Sequence, residues 1–164
     1  MKKNVSWLFQ VGSLTVALLM ATPLMVNAQA GKTNFAGTWV LNTEKSTIPE
    51  GGGQRMGSGE FTVAQDATTL TQTRTGQDGT TRETKYILDG KENVNTTPRG
   101  ETKYTAQWSA DGKSLTINSR MSFNGNEFTS TAIWSLKDAK TLSIETTRQG
   151  QNGEVKATMV YDKK

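Results

Sequence analysis

Trp108-Ser-Ala-Asp-Gly-Lys-Ser-Leu-Thr-Ile117 reads as a β-hairpin: an aromatic strand end, an Asp-Gly turn, and a Leu-x-Ile exit whose apolar residues stand two apart. The pattern returns as Trp134-Ser-Leu-Lys-Asp-Ala-Lys-Thr-Leu-Ser-Ile144 with one more residue in the turn, so each strand runs antiparallel to its chain neighbour. Outward from these hairpins the same alternation predicts strands at 60–65, 68–75, 80–88, 92–97, 101–109, 113–121, 126–136, 140–148 and 154–161. Phe61 and Val63, Leu70, Tyr86 and Leu88, Tyr104 and Ala106, Leu142 and Ile144, and Val155 to Tyr161 supply the apolar phase. Threonine and charged residues fill the other, as a sheet with one face in water requires. The weakest member is Glu92-Asn-Val-Asn-Thr-Thr97. With a first strand at 35–42 this makes an all-β, antiparallel up-and-down meander β-barrel of about 8–10 strands. An even number lets Val155–Tyr161 pair with Thr38–Asn42 and removes both sheet edges.

The opening strand is Phe35-Ala-Gly-Thr-Trp-Val-Leu-Asn42, with Phe35, Gly37, Trp39 and Leu41 on one face. Gly37 leaves room for a ring to fold across the start of the sheet. Together with Trp108 and Trp134, Trp39 is expected to plug one end of the barrel. Phe-x-Gly-x-Trp at the head of an all-β chain of this size resembles the opening strand of the lipocalins and fatty-acid-binding proteins, and Phe35 to Ser46 is similar to the start of bacterial lipocalin-like secreted proteins. The resemblance implies a calyx that carries a small hydrophobic molecule. Fatty-acid-binding proteins hold a carboxylate with Arg-x-Tyr on the last strand; here those positions read Met159-Val160-Tyr161, so Tyr161 alone carries over. Those proteins also place a two-helix lid after the first strand. Here Thr43 to Gly59, with one proline and five glycines, is expected to be a long loop.

Lys2 and Lys3, the apolar run Leu14 to Met20, and Val26-Asn-Ala28-Gln-Ala30 read as a Sec-type signal peptide cleaved after Ala28 or Ala30. The apolar run is shorter than the roughly 20 residues of a membrane span. The expected product is residues 31–164, a single lipocalin-like domain in the periplasm or outside the cell, monomeric and with no membrane span. Its 17 basic residues (19 less Lys2 and Lys3) against 15 acids leave a charge of +2, too mild for a nucleic-acid partner. The chain has neither histidine nor cysteine. That excludes Ser-His and Cys-His catalysis, histidine- or thiolate-bound zinc, disulfides and a histidine pH switch. No cofactor motif and no acidic metal loop is present, so no cofactor, no metal and no enzymatic activity are expected.

A meander sends alternate connections to opposite ends. The short turns at Asp66, Asp89, Asp111 and Asp138 fall at the end that holds the tryptophans. The connections 43–59, 76–79, 98–100, 122–125 and 149–153 fall at the other, and each of Arg55, Arg74, Arg82, Arg99, Arg120 and Arg148 lies on or beside one of them. Arg74, Arg82 and Arg148 are in the inward phase, above an expected lining of Phe128, Met121 and Met159 and beside Tyr161. An arginine facing a partly dry cup needs a partner, and its planar fork suits a carboxylate or phosphate.

Two readings follow. In one, the barrel binds a small hydrophobic or amphipathic molecule, its tail toward the tryptophans and an acidic head among Arg74, Arg82 and Arg148. In the other, Glu83, Glu101, Glu127 and Glu154 pair with the arginines across the rim, and the chain is a non-catalytic interaction module with a filled interior. A third, carboxylate catalysis by Glu83 with Glu127, has no supporting spacing.

Overall fold

The computed structural model describes residues 31–49, 59–76, 78–97, 100–123, 125–150 and 153–164. The export signal expected over 1–30, and Arg55 and Arg99, lie outside them. Among the described residues the strands are β1 (Gly37–Thr47), β2 (Glu60–Gln65), β3 (Thr69–Thr75), β4 (Thr81–Ile87), β5 (Asn93–Thr97), β6 (Gly100–Trp108), β7 (Ser114–Phe123), β8 (Asn126–Asp138), β9 (Thr141–Gly150) and β10 (Gly153–Lys163). They form one antiparallel sheet in the order β4-β3-β2-β1-β10-β9-β8-β7-β6-β5. The first and last strands pair as expected, Trp39 opposite Lys163 and Leu41 opposite Tyr161. The weak segment at 92–97 is a strand, Asn93–Thr97 against Gly100–Tyr104. The result is a nearly closed up-and-down barrel.

The ring is not sealed at β4 and β5, which are not hydrogen-bonded neighbours. The Asp89-Gly90 turn reaches past β5, and the Gly90 N–H donates to the Ala106 carbonyl on β6 at 3.1 Å. Side chains close the seam instead. The Ile87 N–H donates to the Tyr104 hydroxyl at 3.0 Å, and the Tyr86 and Tyr104 rings meet edge to face at 5.2 Å.

β1 also departs from expectation: it continues to Thr47, where a loop was expected from Thr43. Between Asn42 opposite Val160 and Thr47 opposite Thr158, β1 advances five residues while β10 advances two. Three extra residues therefore bulge outward. Ser46 makes this possible by standing in for the ladder, its hydroxyl donating to the Asn42 carbonyl (2.6 Å) and accepting from the Val160 N–H (2.9 Å).

The core fills the end with the short turns. Phe35, Trp39, Leu70, Leu115, Leu142 and Tyr161 are wholly buried there. Phe35 precedes β1 rather than lying on it. Residues 31–35 cross beneath the barrel as a strap, held by the Thr33 N–H on the Gly112 carbonyl (2.8 Å) and by Gln65, which accepts from the Phe35 N–H (2.9 Å). The Phe35 ring stacks on Trp108 at 5.7 Å and meets Trp134 edge-on at 5.8 Å. Gly37, at φ +142°, does not make room for a ring. The space a Cβ would occupy is taken by Lys163, whose Cε lies 2.5 Å from that point and whose ammonium sits 5.3 Å over Trp39.

Each short turn at this end is tied by an aspartate whose carboxylate accepts local N–H and O–H groups. Asp66 accepts from the Thr68 and Thr69 backbone at 2.7 and 2.8 Å and from both hydroxyls. Asp89 and Asp138 accept from the backbone N–H of Lys91 and Lys140, and Asp111 from the Ser109 hydroxyl and the Lys113 N–H. These bonds hold all four carboxyls below their ordinary range. A folded-state pKa below the unfolded value of 3.8 means that the stabilisation is present above pH 4 and is lost as pH falls further. The thermal midpoint is therefore expected to be flat from pH 7 to 5 and to fall from pH 4 to 2. Asp66→Ala should lower the neutral-pH midpoint and flatten the acid slope; melts by circular dichroism that stay level from pH 5 to 2 would show that the turns do not carry it.

Candidate ligand-binding lumen

Inward-facing residues change in character from the closed end to the mouth. Low in the barrel they are mostly apolar and buried, with Gln72 and Thr146 as polar exceptions. Higher up, Thr84 on β4, Ser119 and Met121 on β7, Phe128, Ser130 and Ala132 on β8, and Val155 on β10 keep accessible surface although they face inward. A small inward residue such as Ala132 is accessible only where the opposite wall does not reach it. The upper half of the barrel is therefore a cup over a solid floor.

Arg74 on β3 stands where floor and cup meet. Its guanidinium lies 4.5 Å over the Phe61 ring, which meets the Tyr161 ring edge-on at 4.8 Å. Arg74 also hydrogen-bonds the Tyr161 hydroxyl, whose own proton goes to the Met159 sulfur at 3.5 Å. Burial pushes the Tyr161 and Tyr86 hydroxyls up, and the nearby Arg74 cation draws both back. Arg148 on β9 faces the same lumen between Ser130 and Val155. It keeps much of its surface in water at the mouth, yet partial burial and the Arg74 cation both lower its pKa. Above the closed end, no inward-facing strand position among the described residues is an aspartate or glutamate.

The expected lining residues divide by height. Met121 and Phe128 are cross-strand partners near the mouth, half-buried. Met159 is buried in the floor opposite Ile144 and serves Tyr161. Arg82 lies opposite Arg74 in register, but its exposed guanidinium turns to the rim and meets Asp78 at 3.4 Å. Arg120 meets Glu92 at 3.7 Å on the outer face. The acids that these two arginines find are thus Asp78 and Glu92, outside the set Glu83, Glu101, Glu127 and Glu154. Glu154 pairs with Lys156 at 2.9 Å.

One lumen residue went unremarked in the sequence, although its phase was legible. Gln72 lies between Leu70 and Arg74 on the inward face of β3, 7% exposed, with its amide nitrogen buried and without a hydrogen-bond partner among the described residues. Tyr161 holds Arg74 by its hydroxyl hydrogen bond. Tyr161→Phe removes about 1 kcal/mol of hydrogen bonding from that guanidinium and is expected to lower stability by about that much while leaving the fold intact. An unchanged denaturation midpoint would show that Arg74 is positioned by Phe61 alone.

No protein-family model and no curated protein sequence matches the chain. Solved structures do. The zebrafish ileal bile acid-binding protein complexed with cholic acid is similar with a TM-score of 0.58 at 19% identity, over 79% of this chain and 98% of that one. A secretory abundant heat soluble protein from Ramazzottius varieornatus is similar with a TM-score of 0.56 at 12% identity, over 79% and 95%. At these identities the likeness concerns the fold: a calycin-type barrel. Among the described residues, no helix is long and apolar enough to cross a membrane.

Proposed function

We propose that this chain is a non-catalytic carrier of a small amphipathic anion, exported to the periplasm or beyond. The observation that carries the reading is that Arg74 and Arg148 face one half-dry lumen, with Arg148 partly desolvated and close enough to Arg74 for the two cations to repel. Two like charges in such a setting repel each other and lose hydration, and a bound anion reverses both effects. The accessible inward faces of Ser119, Ser130 and Ala132 weigh against a filled barrel. The zebrafish neighbour's ligand, cholic acid, is itself an acid with a large apolar body, which supports the same ligand class.

Phe35, Trp39 and Trp134 pack together in the core at the tryptophan end, which supports an apolar tail lying along Met121 and Phe128 rather than among the tryptophans, with the acidic head beside Arg74 and Arg148. Native mass spectrometry of the chain purified from its own host, followed by organic extraction, tests this. An amphipathic acid is expected to co-purify. A protein that emerges empty and fails to enhance an apolar fluorescent probe would overturn the carrier reading.

A further inference from the structure

We propose that the lumen takes an amphipathic acid bearing a hydroxyl group close to its acidic head, and that Ser119 and Ser130 read that hydroxyl; this rests on reading the lumen as an amphipathic-anion site. β7 and β8 form one wall of the barrel, and their inward residues meet as cross-strand pairs: Leu115 with Trp134, Ile117 with Ala132, Ser119 with Ser130, and Met121 with Phe128. The third pair sets two hydroxyls into an otherwise apolar wall. Directly opposed residues of an antiparallel pair have Cβ atoms about 4.5–5.5 Å apart, so one ligand oxygen between the two serines can reach both. Both serines keep accessible surface, and neither hydroxyl has a hydrogen-bond partner among the described residues. On its other side Ser130 is in register with Arg148 of β9, which places the cation one strand away from the hydroxyl pair.

Accessible hydroxyls are hydrated before a ligand enters. A plain alkyl chain lying along this wall displaces that water and cannot replace its hydrogen bonds, which loses affinity. It also leaves two polar groups unmade against apolar neighbours. A chain with a hydroxyl a few carbons from the acid group donates to one serine and accepts from the other, while its head stays beside Arg148. The position is confined by the register: beyond the serines toward the mouth the wall is Met121 and Phe128, which offer a hydroxyl nothing.

The test is displacement of an apolar fluorescent probe from the purified chain at pH 8 by laurate, by 3-hydroxydodecanoate and by 12-hydroxydodecanoate. The 3-hydroxy acid is expected to bind about fivefold more tightly than laurate, the factor supplied by one net hydrogen bond, although it is the less apolar of the two. The 12-hydroxy acid should bind no better than laurate. A chain carrying both Ser119→Ala and Ser130→Ala should hold laurate at least as tightly as the unaltered protein and bring laurate and the 3-hydroxy acid within about twofold of each other. The ranking of the three acids in the unaltered protein stands whether or not that variant folds. Laurate binding as tightly as the 3-hydroxy acid, or the 12-hydroxy acid matching it, would overturn the hydroxyl reading and leave the carrier reading intact. A fivefold preference that survives in the double variant would take the selection away from the serines. Failure of all three acids to displace the probe would bring down both proposals.

Discussion

Trp39→Ala is expected to remove about 4 kcal/mol of stability, in the range of large aromatic truncations in a packed core. Against a typical total of about 5–15 kcal/mol this is a large share. Three losses coincide at this position. The ring is wholly buried, so its removal leaves a cavity among Phe35, Phe61 and Lys163 that the sheet cannot collapse to fill. The Nε1–H that donates to the Phe35 carbonyl at 2.8 Å is lost, leaving a buried acceptor unpaired. The strap that carries Phe35 loses its anchor to β1. Urea unfolding followed by circular dichroism should show the midpoint falling by about 2 M for a slope near 2 kcal/mol/M. Trp108 provides the contrast: it is only partly buried and its Nε1–H finds no hydrogen-bond partner among the described residues, so Trp108→Phe should cost less than Trp39→Phe. The reverse order would mean that the plug is held by stacking rather than by the Trp39 hydrogen bond.

Arg74→Met is expected to reduce affinity for an amphipathic anion by at least about 100-fold, the equivalent of about 3 kcal/mol from a bidentate charge-assisted contact. Stability should fall by about 1 kcal/mol or more, because the cation–π contact with Phe61 and the hydrogen bond to the Tyr161 hydroxyl are both lost while only the repulsion with Arg148 is relieved. Calorimetric titration at moderate salt, paired with denaturation of the same sample, separates the two effects. Arg148→Met should weaken binding less, since that side chain is more exposed to water. Arg82→Met should have little effect, because its guanidinium is occupied with Asp78 at the rim. If Arg74→Met binds as the unaltered protein does, the anionic head lies elsewhere.

Much of this architecture could be read from period-two alternation. Pairs such as Leu115 with Ile117 and Leu142 with Ile144 announce their strands because one face is dry and the other carries threonine. The same phase correctly turned Arg74 and Arg148 inward. It could not distinguish Arg82 from them, because the choice between lumen and rim is a side-chain rotation decided by where Asp78 stands. Nor could it see the bulge in β1. Ser46 replaces a ladder bond with its hydroxyl, and nothing apolar marks the spot. The open seam between β4 and β5 escapes for a related reason: Asp89-Gly90 is a good turn, but its direction is set by a long-range bond to Ala106. Gln72 was legible by phase. What made it notable, an amide without a partner, depends on neighbours that come from β2 and β4.

The pairing of β1 with β10 also governs time. Each of the later hairpins can assemble from residues close in the chain, whereas Leu41 must find Tyr161 across 120 positions. Contacts so distant carry a large loop-closure penalty before they return anything, which makes such topologies slow to fold. Trp39 sits on the strand that waits longest, so its fluorescence should report the final closing event, after β6 to β9 have acquired their structure. Until then the floor beneath Arg74 is unfinished, and the binding cup is expected to be among the last parts of the molecule to become competent.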